Sequence, residues 1–218
     1  MEIDLVSTRR SLHAVAELVL AGPQYRAHGD IRLRVTPGGF GTVTGPDVRV
    51  DGSAVVRGDL RCVIAGKTPA VLAAELGLQA SNLEDVYHDG SGVGIDDVLA
   101  LSPAHTSYLT ECFAIGDDSL AQFAPDAERV LWPEHFDVGC TVDMVNYGIS
   151  PGDGYSSEPY AYVGPLQVTD NPFWNAPFGA SRRLGRQPAI AAIIEFFTAG
   201  RAAHAEDDAR RPTDRPAE

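Results

Sequence analysis

The chain has 218 residues, 44% of them hydrophobic and 22% charged, which is ordinary usage for a globular domain and excludes collagen-like, coiled-coil and wholly disordered architectures. Thirty acidic residues against 17 basic ones give a net charge of -13, which repels phosphate backbones and anionic lipid surfaces; the expected partners include no nucleic acid and no membrane. No apolar run approaches the roughly 20 residues of a bilayer span, and Met1-Glu2-Ile3-Asp4 lacks the positive start of a secretion signal, so a cytoplasmic protein is expected.

Ser7 has the chemistry of a helix cap, and Leu12, Val15, Ala16 and Val19 then recur at helical spacing until Gly22-Pro23, predicting a first helix over about 8–21. From Ile31 the period changes to two: Ile31, Leu33 and Val35 alternate with Arg32 and Arg34. Shorter strands follow near 40–44, 47–51 and 54–57, separated by Gly45-Pro46 and the hairpin dipeptide Asp51-Gly52. This first third reads as a meander with an arginine-rich outer face. Thr68-Pro69 and Ser102-Pro103 are helix starts. The first predicts a short helix ending at Gly77; the second predicts a helix over 104–115, broken at Gly116-Asp117-Asp118 before another over 118–123. Asp89-Gly90-Ser91-Gly92-Val93-Gly94 has neither the lysine of a P-loop nor the order of a dinucleotide fingerprint, and reads as a loop. The chain turns β-rich again over 129–147 and 159–168, and Pro188 opens a final helix ending near Gly200. Arg201–Glu218 holds no large apolar residue, which predicts a disordered acidic and polar tail behind a single domain over 1–200. The expected fold is a single α+β domain: a mainly antiparallel sheet from two β-rich regions, about 31–65 and 129–168, with helices packed on one side.

The stretch from Trp132 to Phe178 holds nine of the 17 aromatic residues. Residues 130–181 contain no Lys or Arg but six carboxylates: Glu134, Asp137, Asp143, Asp153, Glu158 and Asp170. Rings that stack on sugar or cation faces, interleaved with acids that fix hydroxyls or amines, are the composition of a cleft for a polar or cationic small molecule. Trp132, Tyr147, Asp153, Tyr155, Tyr160, Tyr162 and Trp174 are its candidate ligand-binding residues. The structural alternative is that the acids simply face the arginines of the first meander. Glu134, His135 and Asp137 form the densest reactive cluster and are the candidate catalytic residues for acid/base hydrolysis. If that segment is extended, His135 and Asp137 share a face about 6.6 Å apart while Glu134 points away. Two donors at that spacing suit a metal-dependent enzyme, which needs a third ligand such as His88 or His105. A Cys140–His135 dyad would require a bulge. Ser150-Pro151-Gly152-Asp153 fits a type II turn. Cys62, Cys112 and Cys140 are odd in number and widely spaced, favouring neither a disulfide framework nor a zinc site.

The strings WPEHFD (132–137), NYGISPGD (146–153), PYAYVGP (159–165) and FWNAPFG (173–179) resemble the signature strings of a family of uncharacterised soluble proteins from high-GC actinobacteria. Composition agrees with such a genome, since Lys67 is the sole lysine. The resemblance implies no activity, cofactor or catalytic residue. The function expected from the residues is small-molecule binding in the aromatic, carboxylate-rich cleft, the alternatives being the metal-dependent enzyme and a non-catalytic protein-interaction module.

Overall fold

The structure, a computed structural model, describes residues 3–210. Asp4, rather than Ser7, caps the first helix, its Oδ1 accepting the Ser7 N–H at 2.7 Å. Helix α1 (Leu5–Ala14) passes through a π-helical stretch, Val15–Ala21, into α2 (Gly22–His28). The expected stop at Gly22-Pro23 therefore lies inside the helical run. Pro23, which has no N–H to give the ladder, stands directly after the π-helical stretch, where the helical hydrogen bonding changes register. Gly22 is needed there for another reason: a Cβ would stand 2.0 Å from the Ser81 carbonyl oxygen.

Strands β1 (Leu33–Thr36), β2 (Gly39–Thr42), β3 (Arg49–Asp51), β4 (Ala54–Arg57) and β5 (Leu60–Val63) form an antiparallel meander. The predicted cap at Thr68 is present, its side chain accepting the Val71 N–H at the start of α3 (Pro69–Glu75). Residues 103–123 form one helix, α4 (Pro103–Phe123), not two. Gly116 marks close approach rather than a break: a Cβ there would lie 2.6 Å from Ile149 and 3.0 Å from Val138, so the helix touches the sheet at this point. A second meander follows through β6 (Val130–Trp132), β7 (Asp137–Val142), β8 (Val145–Ser150), β9 (Tyr160–Pro165) and β10 (Ala180–Arg183).

The two meanders join where β1 lies antiparallel to β6, with Leu33 opposite Leu131. One ten-stranded sheet results, in the order β10-β9-β8-β7-β6-β1-β2-β3-β4-β5. Helices cover one face: α4 touches β1, β2, β7 and β8, the π-helical stretch touches β2, and the final helix α5 (Ile190–Arg210) touches β9. Phe113 of α4 packs edge to face on Phe40 and Phe136, and Phe197 of α5 packs edge to face on Tyr147, with Phe123 tilted against both.

Helix α5 runs ten residues past the expected end at Gly200, so residues 201–210 are helical rather than disordered. Their anchor is one buried carboxylate. Asp207 accepts hydrogen bonds from Thr169 Oγ1 at 2.6 Å, Asn171 Nδ2 at 3.1 Å and Trp174 Nε1 at 2.8 Å. The remainder of the expected tail, 211–218, lies outside the described residues. No helix among the described residues is long and apolar enough to cross a membrane.

Candidate functional site

Strand alternation decides what the open face of the sheet displays. On β7, β8 and β9, Val138, Cys140, Tyr147, Ile149, Ala161 and Val163 turn toward the helices and are buried. Their neighbours Asp137, Gly139, Asn146, Gly148, Ser150, Tyr160 and Tyr162 turn the other way. Two concavities open over these residues, one of about 570 Å³ and one of about 300 Å³, and both are lined by His135, Asp137, Asn146 and Tyr162.

The segment expected to be extended is instead a tight turn. Strand β6 ends at Trp132, β7 begins at Asp137, and Phe136 adopts a left-handed φ of 53°. That conformation is rare for a bulky side chain. It is held because the Phe136 ring is buried among Phe40, Phe113 and His13, with His13 stacked 5.1 Å away. His13 also contacts the Pro133 carbonyl oxygen at 2.6 Å, tying the turn to α1. The turn brings Glu134 to 4.0 Å from His135 rather than pointing it away.

Asp137 is only 7% exposed. Its Oδ2 accepts a short hydrogen bond from the Tyr162 hydroxyl, while its buried Oδ1 takes none. Burial pushes the Asp137 carboxyl above the usual carboxylate range, against the opposing pull of Tyr162 and His135. Tyr162 reaches it by lying across Gly148 and Gly139, its opposite neighbours on β8 and β7. A Cβ would come within 2.4 Å of the Tyr162 hydroxyl at Gly148 and within 2.7 Å at Gly139. Burial also drives the Tyr162 phenol well above its ordinary value.

A second tyrosine–carboxylate pair lies two residues along the same face. Tyr160 donates to Asp153 Oδ2 at 2.5 Å, and Asp153 Oδ1 accepts the N–H groups of Tyr155 and Ser156. Asp153 is the last residue of the predicted type II turn; Gly152 has the positive φ, 100°, that such a turn asks of its third residue, but the Asp153 N–H donates to the Ser156 carbonyl rather than back to Ser150. Both Asp153 oxygens are thus engaged, and the Arg9 guanidinium interacts with this pair. Tyr155, Tyr160 and Phe178 form an aromatic wall with centroids 5.0 to 6.1 Å apart.

No family model, curated protein or solved structure matches the chain. Of the expected residues, His135, Asp137, Asp153, Tyr155, Tyr160 and Tyr162 line the larger cleft, while Trp132 and Glu134 line the smaller. Tyr147 does not belong: it is fully buried on the helix side of β8, 4.7 Å from Phe123 and 5.7 Å from Phe197. Trp174 is likewise structural, committed to Asp207 and packed against Phe173. Phe178, Ser150, Pro165, Leu166 and Val168 were not expected at the cleft. Parity on β8 and β9 would have found Ser150 once Tyr160 was placed; the others come from loop paths that no periodicity encodes.

Arg32 pairs with Asp30 and Glu128 and Arg61 with Asp51, while Arg34 and Arg57 bond to backbone carbonyls. The cleft carboxylates therefore do not face these arginines. Among the described residues no group of three or more His, Cys, Asp or Glu side chains is placed to hold a metal ion, and His105 contacts the Ile3 carbonyl instead. Cys140 sits opposite Tyr147 on the helix side, and burial pushes its thiol up to about 11, which removes the thiolate that a dyad with His135 requires.

Proposed function

We propose that this protein binds a small molecule in the cleft over β7–β9, with Asp137 as its polar anchor and Tyr155, Tyr160 and Phe178 as its wall. One observation carries the reading. A buried carboxyl has one oxygen fixed by Tyr162 and the other without any hydrogen bond, an arrangement that costs about 1–3 kcal/mol unless a partner arrives. A bound molecule offering a donor supplies that partner. The larger cleft, at about 570 Å³, has the size of a small-molecule site. Oδ1 has almost no accessible surface, so the carboxyl must turn toward the cleft for a donor to reach it.

The reading is tested by two-dimensional amide NMR with a fragment set of neutral, cationic and anionic compounds. Fragments that bind are expected to shift the amides of Asp137, Ser150, Asp153, Tyr160 and Tyr162, and to lose affinity at least tenfold in Asp137→Ala. Binding confined to other surfaces, or none at millimolar concentration, overturns it.

A further inference from the structure

Resting on the binding function just proposed, we infer that the cleft selects an amphipathic monocation, an ammonium head on an apolar or aromatic body.

The head is specified by what surrounds Asp137. No lysine or arginine lines the larger cleft. The nearby guanidinium, that of Arg9, donates to the Ser157 carbonyl at 3.0 Å, and its charge acts on Asp153 and Tyr160 rather than on Asp137. Asp153 is exposed and already accepts from Tyr155, Ser156 and Tyr160, so an ammonium there would add to a partnered carboxylate rather than supply a missing bond. Asp137 keeps one free oxygen and no cationic partner beyond the exposed His135. An ammonium group supplies both the missing donor and the missing charge. A carboxylate or phosphate head would meet Asp137 and Asp153 together and be repelled.

The body is specified by the other end of the same cleft. Pro165, Leu166, Val168, Pro177 and Phe178 line it. Leu166 is 72% exposed and Val168 42% exposed, apolar surface left open beside a polar anchor. The Tyr155–Tyr160–Phe178 triangle, near the start of β9 whereas Pro165 is at its end, adds ring faces to the same cleft. Continuing the register of Val138 with Ile149 places Asp137 beside Ser150, which lies opposite Tyr160, so the anchor and the ring wall face one cleft.

Four compounds test this by calorimetry and amide NMR on the full chain: 4-phenylbutylamine, its neutral isostere 4-phenylbutanol, its anionic isostere 4-phenylbutyrate, and butylamine, which has the head without the ring. The amine is expected to bind at least tenfold more tightly than the alcohol, to outbind butylamine by a similar factor, and to leave the acid unbound. Asp137→Asn is expected to erase the preference for amine over alcohol. Should the alcohol or the acid bind as tightly as the amine, with shifts still at Asp137 and Tyr160, the charge selection is overturned while the cleft remains the site. Equal binding of butylamine and 4-phenylbutylamine overturns the apolar body. Absence of any cleft shift with all four overturns this inference, and the broader fragment set then decides the binding function separately.

Discussion

Because burial holds the Asp137 carboxyl above its ordinary value, the folded chain binds that proton more tightly than the unfolded chain does. The stability this group lends is complete below the unfolded pKa of about 3.9 and is lost as pH rises through the folded value. Asp137→Asn, which keeps an acceptor for Tyr162 but cannot ionise, is therefore expected to melt above the wild type at pH 7 and level with it near pH 4. Each tenfold difference in proton affinity is worth about 1.4 kcal/mol, roughly 3–6 °C for a chain of this size. A melting difference that does not change between pH 4 and pH 8 would show that burial does not control this carboxyl. The glycine trough beneath Tyr162 gives a second prediction. In Gly148→Ala the new Cβ would lie 2.4 Å from the Tyr162 hydroxyl and 2.5 Å from the Val138 carbonyl oxygen. Urea denaturation should report a loss of about 1–3 kcal/mol. Gly154→Ala, with nothing within 4 Å of the new methyl group, should be neutral.

Among the elements, those written in local chemistry were legible in the sequence. Thr68-Pro69 starts α3 where the cap rule puts it, and alternation with Asp51-Gly52 gives β3 and β4. What was not legible depends on distant neighbours. Gly116 reads as a break but serves close packing on Ile149. Strand β10, Ala-Ser-Arg-Arg, has no β-branched residue to announce it. Tyr147 and Tyr162 are equally aromatic, and only knowing which face the helices cover separates core from cleft. The β7–β8 hairpin was missed because Asp143 and Met144 occupy left-handed positions, φ 52° and 63°, that usually call for Asn-Gly. Met144→Gly is accordingly expected to raise stability by about 0.5–1 kcal/mol in urea denaturation, with the Asp143–Arg201 ion pair kept. The end of α5 was missed because a single carboxylate, not an apolar stripe, holds it. Asp207→Ala strips three donors of their partner and should cost about 2–4 kcal/mol, seen as a lower melting temperature with faster amide exchange in 169–174 and 201–210.

At the scale of the whole molecule, two five-stranded meanders share one sheet through the β1–β6 pair, and α4 spans that seam by touching β1 and β2 on one side and β7 and β8 on the other. The halves should therefore unfold together. Native-state hydrogen exchange is expected to give the same highest opening free energy for β2 and β8; a first meander that opens at several kcal/mol less would make it a separate cooperative unit. The seam also orders events during synthesis. Strands β1–β5 pair with one another as close sequence neighbours and are complete before β6, which covers the other edge of β1, has been translated, since Leu131 follows Leu33 by about 100 residues. Until Val130–Trp132 emerges, β1 is a bare edge able to add a strand from another nascent chain. The time the ribosome takes between these two points sets how long that edge stays open.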